Sequence, residues 1–406
     1  MERKLSKVGR SLSPSPIQEL SHLAQSRGAI NLAEGFPDFP APSHVKQAAI
    51  SAINSDHNQY RHVQGICELL AARMRQSHGL DVDPLTDITI CCGQSEAFAA
   101  AVFAIIDQGD EVLLFDPAYE TYGTCIQLAG GTPVYVPLDP PHWTLNVDRL
   151  LKSFTSRTKA LLLNSPHNPT GKIFNKEELE AIAGACRNMD CFAITDEVYE
   201  HITFGTQKHI SIASLPGMQE RTIITSSLSK TFSVTGWRLG WACAPADIAN
   251  AIRNISIRII DSAPAPFQEA ALTALRSPPA YFESLRTLMK SLLMLKDYEK
   301  KRNYTVDMLS ALGFQIQFTP QGSVFVFAEL PERWLLSDVD FVRELIEKAG
   351  VAAVPGRGFF HPGLNAEKYH TRYVRFAFCK SDTTLSAAAR KVQEFVNSSG
   401  FLQLEK

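Results

Sequence analysis

At 406 residues, with 45% hydrophobic and 20% charged side chains, the chain has an ordinary globular composition and enough length for two or three domains around a large core. Its formal net charge of −2 gives no electrostatic case for a nucleic acid or a membrane surface as partner. The eight cysteines include no C-x-x-C pair, and several lie inside apolar runs; this fits core thiols in a reducing compartment better than disulfides or a zinc site.

The opening segment, MERKLSKVGRSLSPSP, is basic but lacks the apolar core of a secretory signal. Glu2 and the early onset of globular patterning disfavour a short organellar transit peptide. Ile17–Ala24 reads as an isolated short helix. Strand-length apolar runs then recur at Asp87–Cys91, Glu111–Phe115, Pro133–Val136, Ala160–Leu163, Cys191–Thr195, Thr222–Thr225 and Leu239–Ala244. Many are apolar throughout, as expected of strands covered on both faces. Between them, Ser95–Asp107 is dense enough in apolar residues to predict a buried helix. Lys176–Cys186 follows a capping Asn175 with Glu178 three residues on. The longest apolar stretch, Ala97–Ile106, is about half of what a membrane span needs. Alternating strands and helices predict a parallel sheet in an α/β domain. Past residue 285 the character changes: a charged helical stretch Tyr281–Leu312, strands Phe314–Phe318 and Ser323–Ala328, a helix Asp338–Ala349, a strand Tyr373–Phe378 and a helix Thr383–Val396. The expected division is a large domain over 31–285, a smaller α+β domain over 286–406, and residues 1–30 joining the smaller one. The protein is expected to be soluble and cytoplasmic.

The most informative segment is Ser227-Leu-Ser-Lys230-Thr-Phe-Ser-Val-Thr-Gly236-Trp-Arg238-Leu-Gly240. A lysine at a strand end, partly desolvated, can lose its proton near neutral pH and attack an aldehyde. Small residues around it let a cofactor approach the backbone. Arg238 and the hydroxyls of Ser227 and Ser229 could hold a phosphate dianion. Ser-x-Ser-Lys alone reads as an ordinary loop; the run through Gly236 and Arg238 is far more specific.

This run resembles the lysine site of class I aminotransferases, the fold type I pyridoxal-phosphate enzymes, and the similarity extends over nearly the whole chain. NLAEGFPDFPAP and ITDEVYEHI look most like the branch that holds kynurenine, glutamine and methionine aminotransferases. The resemblance implies a large α/β domain with a mostly parallel seven-stranded sheet flanked by helices, plus a smaller α+β domain. It also implies pyridoxal 5′-phosphate as cofactor, held by Lys230 as a Schiff base.

Four further strand-end loops carry candidate residues. In Cys92-Gly93-Gln94-Ser95, free amides at a helix start favour phosphate and Gly93 allows the turn. The resemblance implies that the Gln94 and Ser95 amides contact the cofactor phosphate, and leaves the Gln94 side chain an open question. In Asp116-Pro-Ala-Tyr119-Glu-Thr-Tyr122, an aromatic can stack on a pyridine ring or belong to the core; the resemblance implies that Tyr119 covers the ring, and Tyr122 is expected in packing. In Asn164-Ser-Pro-His-Asn168-Pro-Thr-Gly171, the Asn-Pro and Thr-Gly pairs fix a turn that would present the Asn168 amide rigidly; a simple turn is the competing use, and the resemblance implies that the amide meets the cofactor's phenolic oxygen. His167 is given no role. In Cys191-Phe-Ala-Ile-Thr-Asp196-Glu-Val-Tyr199, a carboxylate closing an apolar strand needs a positive partner. The protonated ring nitrogen would be that partner, with Asp196 keeping the ring an electron sink; a helix cap is the competing use. Tyr199 would join Asn168 at the phenolic oxygen, and Glu197 is expected to be structural. Ligands of parallel α/β sheets bind at such strand C-termini.

Arg375, in the alternating run Tyr373-Val-Arg-Phe-Ala-Phe, could bind a substrate α-carboxylate bidentately; Arg372 lies close enough in sequence to be confused with it. Gly35 would lie against the same carboxylate. Tyr60 matches a residue that in similar enzymes reaches the phosphate of the neighbouring subunit, which implies a homodimer with shared active sites. No metal site is expected. The implied cycle is ping-pong: an amino acid displaces Lys230, whose freed amine moves the α-proton, and a second 2-oxo acid reverses the steps. Ile17, Phe36, Tyr119 and Phe359 or Phe360 suggest apolar walls. No second arginine stands out as a clamp for a distal carboxylate. Aromatic amino acids, methionine, glutamine or kynurenine are therefore the expected donors. The rival readings are a C–S β-lyase or an aminocyclopropane-carboxylate synthase on the same scaffold, and a regulatory cofactor-binding protein. A nicotinamide dehydrogenase is disfavoured because no G-x-G-x-x-G follows a first strand.

Overall fold

The computed structural model describes residues 4, 6, 9–10, 16–284, 297–361 and 368–398. In chain order it begins with α1 (Pro16–Ser26), β1 (Ile30–Asn31), α2 (Ser43–Asn54), α3 (Ile66–His78), β2 (Ile88–Cys91), α4 (Gln94–Ile105), β3 (Glu111–Asp116) and α5 (Glu120–Leu128). Next come β4 (Thr132–Asp139), β5 (Thr144–Leu145), α6 (Val147–Ser153), β6 (Thr158–Asn164), α7 (Lys176–Asn188), β7 (Phe192–Asp196), β8 (Thr222–Ser227) and β9 (Gly240–Cys243). The remainder comprises α8 (Ala246–Ile259), α9 (Ala265–Leu275), α10 (Pro279–Ser284), α11 (Asp297–Ala311), β10 (Phe325–Glu329), α12 (Asp338–Glu344), β11 (Val351–Ala352), β12 (Val354–Pro355), β13 (Tyr373–Ala377) and α13 (Asp382–Ser398).

The seven predicted apolar runs all become strands of one sheet, ordered β2-β9-β8-β7-β6-β3-β4-β5. The expected seven strands gain an eighth, β5, whose two residues pair antiparallel with β4. Strands β4, β3, β6, β7 and β8 run parallel, while β9 opposes both β8 and β2. Every residue of β3 and β8 is buried. Continuous burial is what a sheet covered on both faces requires, and it explains why these runs do not alternate. Helix α4, buried as its composition predicts, packs on β8, β9 and α8. Helix α7 begins with the predicted capping box: Asn175 Oδ1 accepts from the Glu178 amide at 2.8 Å, and Glu178 accepts from the Asn175 amide at 3.0 Å. All eight cysteines are free thiols.

A second sheet, β10-β13-β12, is antiparallel. Strand β1 pairs in parallel with β11 (Ile30 opposite Val351), so the N-terminal segment packs with the C-terminal part. Two expectations fail here, and a third lies partly outside the described residues. Phe314–Phe318 is no strand: Gln315 alone pairs with Glu329, and the run soon reaches Pro320, which has no amide to donate. The helix predicted over Asp338–Ala349 widens to a π turn at Leu345–Ala349 before Gly350 ends it with φ +64°. Tyr281–Leu312 contributes α10 and α11, with 285–296 outside the described residues. No helix among the described residues is long and apolar enough to cross a membrane.

Candidate active site

The C-terminal ends of the parallel strands converge on one cleft with about 540 Å³ of water-accessible space. At its edge, Gly93 turns from β2 into α4 with φ +83°, a conformation side chains resist. The Gln94 and Ser95 amides, as first-turn groups, have no intrahelical acceptor. A Cβ at Gly93 would run into the Arg238 guanidinium, and one at Gly240 would lie 2.5 Å from the Gln94 nitrogen. These glycines therefore let β9, the guanidinium and the start of α4 close together. Arg238 itself holds φ +53° and donates to the Thr235 carbonyl at 3.0 Å. The side chain of Gln94 donates to Thr225 Oγ1 at 3.2 Å, which ties it to β8.

Asp196 ends β7 almost wholly buried. Its carboxylate accepts from the Tyr122 hydroxyl at 2.6 Å and from the Val198 amide at 3.2 Å. Burial pushes its pKa up to about 6, against the opposing pull of those donors and of Lys230. Tyr122 is thus a correction: it is buried, but it belongs to the site rather than to packing alone. Burial, then the neighbouring Asp196, hold its phenol well above the usual range, so it remains a donor. Tyr119 meets Tyr122 edge-on at 5.6 Å.

The loop after β6 is pinned to β7: Asn164 Nδ2 donates to the Asp196 carbonyl at 3.0 Å, and Asn164 Oδ1 accepts the Asn168 amide at 2.8 Å. From the other sheet, the buried Arg375 of β13 donates to Asn168 Oδ1 at 2.9 Å and to the Ala33 carbonyl at 2.7 Å. Its Nε has no hydrogen-bond partner. The Phe325 and Phe359 rings lie 4.1 and 4.7 Å from the guanidinium carbon. Burial lowers the Arg375 pKa to about 10, which still leaves it charged at neutral pH. It makes no ion pair with a carboxylate among the described residues. Arg372 instead donates to the Leu330, Pro331, Trp334 and Leu336 carbonyls, a structural use.

Lys230 follows β8, and its Nζ donates to the Gly35 carbonyl at 2.7 Å. Burial lowers its pKa to about 8; Arg375 and Lys380 act in the same direction, while Cys379 and Asp196 oppose. A meaningful fraction of the amine is therefore neutral near pH 7 to 8.

Gly35, Gln94, Ser95, Tyr119, Asn168, Asp196, Tyr199, Ser227, Ser229, Lys230, Arg238 and Arg375 all line the cleft, as do Ile17 and Phe36. Tyr60 is 82% exposed and does not line the cleft of its own chain. Phe359 and Phe360 do not form walls as expected: both are buried behind the cleft, Phe359 against Arg375 and Phe360 stacked on His370. His167 is held neutral, its pKa lowered to about 3 by burial and by Lys172. The sequence reading missed Tyr122, Phe325, Glu34 and Glu120, which also line the cleft. Behind the sheet, His78, Glu197 and Glu200 bring donor atoms within 4.8 Å of one another. Glu197 there accepts from His209, Ser211 and Thr195, and Glu200 pairs with His78, so each carboxylate already has donors.

A strand-end lysine, a helix N-terminus with an arginine beside it, and a buried acid facing the same space define a pyridoxal-phosphate enzyme of fold type I. Comparison with known proteins agrees. Residues 27–392 match the family model for aminotransferase class I and II. The solved N-succinyldiaminopimelate aminotransferase of Mycobacterium tuberculosis is similar at 36% identity and TM-score 0.90, covering 96% of this chain and all of that one. Human kynurenine–oxoglutarate transaminase 1 is 33% identical (94% of this chain, 96% of that protein), and the methionine aminotransferase of Escherichia coli 32% (97% and 98%). The chain belongs to the class I and II aminotransferases. It is a pyridoxal-phosphate-dependent enzyme that transfers an amino group from an amino acid to a 2-oxo acid. Its residues fit that cofactor: Gly93 leaves beside Arg238 the room a side chain would fill, and a fully buried acid ends the strand facing the lysine.

Proposed function

We propose that this aminotransferase takes large apolar or uncharged L-amino acids, such as aromatic amino acids, methionine, glutamine or kynurenine, and works as a cytoplasmic homodimer. One observation carries the reading. Arg375 is a buried cation with an orphaned Nε and no acid partner among the described residues, which suits it to one α-carboxylate. Among the described residues, the only other cations lining the cleft are Lys230 and Arg238, whereas Glu34 and Glu120 stand on its wall. A distal carboxylate would meet like charge there.

Pyridoxal phosphate, when bound, supplies an aldehyde that condenses with amines and a ring that draws electrons from the substrate α-carbon. The Gln94 and Ser95 amides, the Ser227 and Ser229 hydroxyls and Arg238 would hold the phosphate. Tyr119 would cover the ring, Asp196 would face its nitrogen, and Asn168 and Tyr199 its phenolic oxygen. Lys230 would be the bonded amine and, once freed, the base that moves the α-proton. Tyr60, exposed on its own chain, would reach the partner's phosphate in a dimer. We assign 31–285 to a large domain and 286–406 with 1–30 to a small one, with the cleft between them.

The test is a donor panel with pyruvate, 2-oxoglutarate and 4-methylthio-2-oxobutyrate as acceptors. Methionine, glutamine or an aromatic donor should lead; aspartate as the best donor refutes the specificity. Lys230→Ala should abolish turnover and remove the borohydride-fixed adduct. Pyruvate and ammonia release without a 2-oxo acid would move the reading to a β-lyase.

A further inference from the structure

Residues 32–38 form a strap held at successive points, with Glu34, Gly35 and Phe36 lining the cleft. The Leu32 carbonyl accepts the Ala377 amide at 2.8 Å, the Ala33 carbonyl accepts Arg375 and the Gly35 carbonyl accepts Lys230. Asp38 accepts from the Ser381 amide and, at 2.6 Å, from the Thr384 hydroxyl. Between these anchors stands Lys380, 1% exposed. Its Nζ donates to the Phe36 carbonyl at 2.7 Å and lies 3.7 Å from the centre of the Phe36 ring. No carboxylate lies within ion-pair distance of it among the described residues. Burial outweighs the favourable pull of Asp38 and Glu34 on this ammonium from beyond ion-pair distance, so the group works against stability except for what it holds. It holds Phe36, the apolar side chain of the strap that lines the cleft beside Gly35 and Glu34. Gly35 in turn is pressed on Phe325, with no room for a Cβ, and Phe325 packs on Arg375.

We propose that Lys380 is a positioning residue for substrate: by gripping the carbonyl and ring of Phe36 it fixes the strap as the wall against which an apolar donor side chain packs. The proposal rests on the reading of this cleft as the amino-acid site. Lys380 touches neither the reacting atoms nor the phosphate residues, and its pull on the Lys230 amine is weaker than that of burial, Cys379, Arg375 or Asp196, so its main effect belongs in KM and in donor preference.

The experiment compares holoenzyme of wild type, Lys380→Met, Phe36→Ala and the double variant, with methionine or phenylalanine and with alanine as donors. Lys380→Met should raise KM for the large donors about tenfold, as the loss of one charge-assisted hydrogen bond implies. Its kcat should stay within about threefold, and the visible band and content of bound cofactor should be unchanged. KM for alanine should move less. Because Lys380 acts through Phe36, the double variant should be little worse than Phe36→Ala alone. Asp38→Asn, which loosens the next anchor, should shift KM the same way and keeps the idea testable should Lys380→Met not fold. Unchanged KM, or a fall in kcat and cofactor content together, overturns the proposal while leaving the cleft as the site. A wild type with no donor-dependent change in its visible band overturns both.

Discussion

Replacing Asp196 by asparagine separates two consequences of ending β7 with a buried carboxyl. In the cofactor-free protein, burial raises that pKa from 3.8 to about 6. The difference corresponds to about 3 kcal/mol. Because the folded pKa lies above the unfolded one, folding takes up a proton between those two values. The group's favourable contribution is present below 3.8, fades as pH rises to about 6, and is gone at neutral pH, where the ionised acid opposes folding. An asparagine never ionises, but it offers only one acceptor oxygen where Asp196 receives Tyr122 and Val198, which returns about 1 kcal/mol. Cofactor-free Asp196→Asn should therefore be more stable than wild type by about 2 kcal/mol near neutral pH. The fall in stability between pH 3.8 and about 6 should shrink by this group's share. The loaded enzyme should show the opposite: without the anion proposed to face the ring nitrogen, the half-reaction should slow by about 10²-fold or more. Urea unfolding of stripped protein across this pH range reads the first effect, and stopped-flow absorbance with a good donor reads the second. A variant less stable at neutral pH with an unchanged pH profile, or a half-reaction within about threefold of wild type, refutes the reasoning.

Two other outcomes follow from the same geometry. Tyr122→Phe removes the 2.6 Å donor to Asp196, so that carboxyl should titrate higher still and the half-reaction should slow about tenfold without loss of cofactor, as a pH series of the visible band and single-turnover rates would show. Arg375→Ala should raise KM for every amino donor by about 10²-fold, whatever its side chain, because all share the α-carboxylate; a penalty confined to one class of donor would place the carboxylate elsewhere.

The loops at the strand ends were legible because their chemistry is local. Asp196 closes an apolar run where a carboxylate has no ordinary reason to be, Asn168 and Lys230 follow such runs within a few residues, and Gly93 marks a turn that needs positive φ. Tyr122 was not legible, because a tyrosine one turn into an amphipathic helix has the same pattern whether it packs or donates; only the approach of α5 to β7 decides. Lys380 follows a strand as surface lysines do, and nothing local tells that Phe36 closes over it. Strand β5 has two residues and no periodicity to detect. Phe314–Phe318 alternates convincingly, yet a strand needs a partner for more than one residue, and Gln315 finds only Glu329.

The pairing of Ile30 with Val351 bears on how the molecule is made. As the chain leaves the ribosome, the wide sheet has all its strands once Cys243 has emerged, whereas β1 and the strap behind it must wait for β11, Arg375 and Lys380. Contacts so distant along the chain close late, since the loop between them must first be ordered. A nascent or prematurely ended polypeptide can therefore present Lys230 and Arg238 with no Arg375 beside them, and the strap along the cleft is the last part of the enzyme to be hung.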